Sequence, residues 1–148
     1  MAYNQAYTAY QKTNVTTASQ GRLVVLLYEA AVKNLNSALA LMEDGDKIKP
    51  GNIENFTKLI QKAQAIITEL QVSLDMEKGG EIAKNLMSLY LYFHSELTGV
   101  TFNHSSEKIS FIVKMLNELL GAWRTASNSV SNAPASNSMQ QSTLNIEG

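Results

Sequence analysis

Two histidines, thirteen acidic side chains and a Gly79-Gly80 pair are the residues in this chain whose types could perform chemistry. A carboxylate-bridged metal pair in a helical scaffold needs Glu-x-x-His, so that both ligands project from adjacent turns of one face. Here Leu91 precedes His94 at that spacing and Thr101 precedes His104, and no H-E-x-x-H run occurs. A phosphate cradle requires a glycine-rich loop that closes on Gly-Lys-Ser/Thr, which Gly79 and Gly80 lack. Serine, histidine and aspartate are all present without a nucleophile elbow to organise a triad. With no cysteine, thiol catalysis, thiolate metal sites and disulfides are excluded. The pattern predicts a protein that is not an enzyme and holds no metal or cofactor.

Composition narrows the partners. Twelve Lys and Arg against thirteen Asp and Glu leave a formal charge of −1 without a basic cluster, which argues against nucleic acid. The apolar run from Leu23 to Ala31 contains Glu29 and falls short of the ~20 residues that cross a bilayer, so no membrane insertion is expected. The opening residues carry no signal-peptide pattern. These features, with the lack of cysteine, are compatible with a reducing cytoplasm.

The elements that would position any site are helices. The first pattern follows the capping residues Thr17 and Ser19 and runs to the turn around Gly45, with Leu23, Leu27, Ala30, Ala38 and Leu41 at helical spacing. After Pro50 and Gly51 a second runs from about Ile53 to Met76, with Phe56, Ile60, Ala63, Ile67, Leu70 and Leu74 on one face. Gly79 and Gly80 end it. Ile82, Leu86, Leu89, Phe93 and Leu97 form a third stripe, and Ile109, Ile112, Val113, Leu116, Leu120 and Trp123 a fourth. Short links predict an all-α fold: an antiparallel four-helix bundle over residues 19–126. Residues 1–18 read as a docking cap segment or short helix. Residues 127–148 lose periodicity and charge and read as a disordered tail.

Apolar surface exceeds what one core needs. The first helix carries a second stripe, Val25, Tyr28, Val32, Leu35 and Leu39; the third adds Met87 and Leu91, and the fourth adds Phe111 and Met115. Flexible methionines among such side chains fit a groove for a helical or extended client. At the start of the chain Tyr3, Tyr7 and Tyr10 fall on one helical face, as in a movable cap over that groove. The candidate client-binding set is therefore Tyr7, Tyr10, Tyr28, Val32, Met87, Leu91, Phe111 and Met115. The alternative is an assembly adaptor or structural subunit whose extra stripes pair with another bundle or, as a weak homo-oligomer, with copies of itself.

One long pattern adds a resemblance. Tyr10, Val15, Thr17, Ala18, Ser19 and Leu23, then Leu27, Tyr28, Glu29 and Ala31, match V-x-T-A-S/T-P-x-x-L and L-Y-[DE]-x-A. "KAQAIITELQVSLDMEKGGEIAKNLMSLYLYF" and "LLGAWRTA" continue it, so that it covers about Tyr3 to Ala126. These motifs resemble the FliS family of flagellar secretion chaperones. Gln20 departs from the family's usual proline, and Leu91 stands where an acidic residue is common. The resemblance implies a cytoplasmic bundle that binds the C-terminal segment of flagellin, prevents premature polymerisation and delivers the subunit to a component of the type III export gate.

Overall fold

In the computed structural model, residues 17–132 are described, and they form four helices. Helix α1 spans Thr17–Ala40, α2 Ile53–Ser73, α3 Gly80–Phe102 and α4 Ser106–Asn132. A two-stranded antiparallel hairpin, β1 (Met42–Glu43) and β2 (Lys47–Ile48), and a 3-10 turn at Pro50–Asn52 join α1 to α2. The fold is the all-α four-helix bundle that the four stripes predict. The cap and tail expectations for residues 1–16 and 133–148 lie outside the described residues. Helix α4 itself continues to Asn132, six residues past Ala126.

Helix α1 is the centre of the packing, lying along both α2 and α4, whereas α3 touches α2 less closely and α4 least. Residue size accounts for the difference. Helix α1 turns Ala31 and Ala38 inward, both fully buried, and α2 contributes Ala63, so these backbones approach closely. Most of the inward positions of α3 are large, with Leu86, Tyr90, Phe93 and Leu97 all buried. Its axis is held farther out.

This arrangement corrects the reading of α1. Tyr28 and Leu35, assigned by the sequence to a surplus stripe, are fully buried, while Leu23 and Ala30 of the supposed core stripe are only half-buried. A helix wedged between two neighbours buries an arc wider than one stripe. Gln20–Ala40 has the length and a mean hydropathy, 1.2, of a membrane-crossing helix; a third of it is buried, chiefly against α2 and α4, while Leu26 on its outer side is 54% exposed.

The links are locally determined. Helix α2 ends at Ser73 rather than Met76, because Leu74 turns extended (φ −71°, ψ 134°) and the Asp75 carboxylate accepts the backbone N–H of Glu77 and Lys78 at 3.1 and 2.9 Å. A Cβ on Gly79 would lie 2.6 Å from both the Asp75 carbonyl oxygen and the Ala83 Cβ, so this reversal requires glycine. At the other end of the bundle Asp46, at φ 63°, accepts the backbone N–H and the hydroxyl of Ser106 at 3.2 and 2.5 Å. The Ser105 hydroxyl accepts the Lys108 N–H at 3.2 Å as the N-cap of α4.

Candidate functional site

The predicted client residues fall in four places. Tyr28 lies in the core, where its hydroxyl hydrogen-bonds to that of Tyr90 on α3. Burial pushes the Tyr28 phenol up to about 12, with the hydrogen bonds to Tyr90 and Trp123 pulling the other way. Burial also raises Tyr90 well above its ordinary value, and Tyr28 adds to the effect. Val32 is half-buried in a groove between α1 and α4. Tyr7 and Tyr10 lie outside the described residues.

Met87 belongs to the seam between α2 and α3, where its Sδ accepts from Gln71 Nε2 at 3.2 Å. Leu91, 54% exposed, follows one turn later on the same face. This seam is polar. Gln64 Nε2 donates to the His94 carbonyl (3.2 Å) and to Thr98 Oγ1 (3.0 Å), and His94 Nε2 donates to Gln71 Oε1 (2.9 Å) with Thr68 Oγ1 at 3.3 Å. Burial lowers the His94 pKa. The sequence gives no direct sign of this ladder, because its residues are ordinary surface types until a second helix faces them.

Phe111 and Met115 lie on the edge of α4 that faces α3. Lys108, three residues before Phe111 and seven before Met115, shares their face and pairs with Glu96 of α3 at 3.8 Å. Phe111 is 46% exposed and Met115 half-buried; Tyr92 of α3, 43% exposed, is four residues before Glu96. Because α3 stands away from α4, this edge leaves aromatic and thioether surface accessible beside the core. Among the described residues no cluster of three His, Asp or Glu side chains is placed to hold a metal ion.

Comparison with known proteins gives the class of this helical bundle. The family model described as "Flagellar protein FliS" matches residues 3–130. Flagellar secretion chaperones FliS from Campylobacter jejuni subsp. jejuni and Salmonella typhimurium are similar at 30% and 32% identity, over 86% and 76% of this chain and 95% and 80% of theirs. That of Bacillus subtilis is 27% identical over 85% of this chain and 89% of its own length. The chain belongs to the FliS family, a non-enzymatic family of flagellar secretion chaperones.

Proposed function

We propose that this chaperone acts in the cytoplasm on flagellin, holding its C-terminal segment until the subunit is passed to the type III export gate. The observation that carries this reading is Phe111: an aromatic ring almost half exposed, with Met115 one turn on, along the most open helix seam. A client segment laid on this edge covers apolar surface that water otherwise meets, and its own polymerisation surface is occupied at the same time. Met87 and Leu91 add two apolar side chains to the otherwise polar seam between α2 and α3, and Val32 adds one between α1 and α4. Tyr7 and Tyr10 are proposed to cover the client surface until flagellin displaces them. Tyr28 contributes from beneath, by fixing α3 against α1 rather than by touching the client.

Co-purification with flagellin that has or lacks its C-terminal segment tests the reading. Full-length flagellin is expected to be retained and the truncated form lost. Equal retention of both would overturn the assignment of that segment.

A further inference from the structure

Among the described residues, Met87 is the only methionine whose sulfur receives a hydrogen bond, from Gln71 Nε2 at 3.2 Å across the seam between α2 and α3. The other end of the same amide fixes its direction. Gln71 Oε1 accepts from His94 Nε2 at 2.9 Å, which leaves the amide N–H groups turned to the sulfur. Met42 and Met115 pack against the core and Met76 is 43% exposed in the turn after α2; no donor reaches their sulfurs among the described residues.

A thioether is a weak acceptor, so an amide donor committed to one is under-used. A sulfoxide oxygen is polar and gives the same N–H a stronger partner. Met87 is half-buried, and Lys84 and Leu91, three residues before it and four after, are exposed, so this face of α3 is open to a small oxidant. The chain has no cysteine, so no thiol competes for that oxidant. Three rotatable bonds let the methionine turn a newly added oxygen towards Gln71 without moving either helix.

We propose that Met87 is a reversible oxidation site, at which a peroxide converts the thioether to a sulfoxide whose oxygen is held by the Gln71 amide. A sulfur lone pair takes one oxygen of hydrogen peroxide, the O–O bond breaks, and the second oxygen leaves as water with the proton of the first. Sulfur gives up two electrons and the peroxide accepts them. Reversal by a sulfoxide reductase consumes two thiols and yields a disulfide and water. At Met42 or Met115 the same oxygen enters apolar surroundings with no donor; at Met87 the donor is already in place. The site stands apart from the chaperone reading; only its consequence, that a polar oxygen beside Leu91 weakens client binding, rests on that reading.

The test treats the full chain with hydrogen peroxide and follows each methionine by peptide mass spectrometry, Met87 being expected to gain its oxygen before Met42 and Met115. The structural readout uses the full chain with Met42→Leu, Met76→Leu and Met115→Leu, volume-conserving changes that leave Met87 as the one methionine within residues 17–132. On oxidation the Gln71 side-chain amide proton is expected to move downfield in a two-dimensional amide NMR spectrum, with the melting temperature unchanged or raised. Gln71→Glu keeps an acceptor for His94 and loses the donor, so oxidation of that variant is expected to lower its melting temperature. A methionine sulfoxide reductase with a dithiol is expected to restore the starting spectrum. Conversion of Met115 ahead of Met87, an unmoved Gln71 amide, or an equal fall in melting temperature with Gln71 and with Gln71→Glu would overturn the proposal. Undiminished flagellin retention beside a shifted Gln71 amide keeps the oxidation site and takes Met87 off the client surface; flagellin that the unoxidised chain does not retain counts against the chaperone reading alone.

Discussion

Tyr28 on α1 and Tyr90 on α3 join their hydroxyls inside the bundle, with side chains 0% and 1% exposed and ring centroids 6.5 Å apart. This contact ties the least closely packed helix to the most closely packed one. Removing one hydroxyl strands the other in a dry core, whereas removing both leaves two apolar rings of nearly unchanged shape. Tyr28→Phe and Tyr90→Phe are each expected to cost about 1 to 3 kcal/mol, and the double variant less than the sum of the two. Urea denaturation of the three variants measures the coupling; strict additivity would show that the hydroxyls act separately.

The same pair predicts alkaline sensitivity. Both phenols ionise less readily in the folded chain, Tyr28 near 12, than in the unfolded chain, near ~10. The unfolded state therefore loses protons first, and stability falls as pH rises above about 10. Melting temperature against pH is expected to fall more steeply in the parent than in the double phenylalanine variant.

Acid acts through the seam between α2 and α3. His94 is held neutral by burial, so below the ordinary histidine pKa of ~6.5 the unfolded chain binds a proton that the folded chain resists. Stability present at neutral pH is lost as pH falls through that range. His94→Gln is expected to flatten this part of the profile, and a profile of unchanged slope would place the acid sensitivity elsewhere.

Asp46 links the hairpin to the start of α4 and holds a left-handed backbone angle at the same time. Asp46→Ala is expected to cost about 1 to 2 kcal/mol, since it loses the bonds to Ser106 and adds backbone strain. Asp46→Asn keeps an acceptor oxygen and tolerates the angle, and is expected to lose less. Thermal melts of the two variants separate the contributions.

Phe111→Ser and Met115→Ser are expected to weaken flagellin binding on the order of tenfold each, given the part of a ~1.5 to 3 kcal/mol side-chain burial still open to a client. The melting temperature of Phe111→Ser is expected to stay near the parent's, and that of Met115→Ser, whose side chain also packs against the core, to fall modestly. Unfolding of the free variants with residual affinity intact would assign both residues to the core.

Helix α2 shows what was legible in the sequence: of its stripe, Phe56, Ile60, Ala63, Ile67 and Leu70 are all buried, and only Leu74 falls past the helix end, where it is half-buried. Helix α1 shows what was not. It offers two stripes of similar hydropathy, and only its neighbours decide that Val24, Tyr28, Ala31 and Leu35 face inward. In α3 the stripe located Leu86, Phe93 and Leu97 but passed over Tyr90, whose polar tip masks a position that is buried because Tyr28 meets it. The candidate site was less legible than the fold. Met87, Phe111 and Val32 are each off the main stripes, but spacing within one helix cannot tell which neighbour each will face, and the structure places them on three different seams.

Trp123 is the chain's single tryptophan, half-buried on α4 and packed against the core that holds Tyr28. The molecule thus carries a built-in optical gauge. Light absorbed by Tyr28 and Tyr90 passes to the indole more efficiently while α1 and α3 stay close to α4, so tryptophan emission excited through tyrosine is expected to fall as these helices separate. No dye and no engineered cysteine is required to follow the bundle as it meets a client.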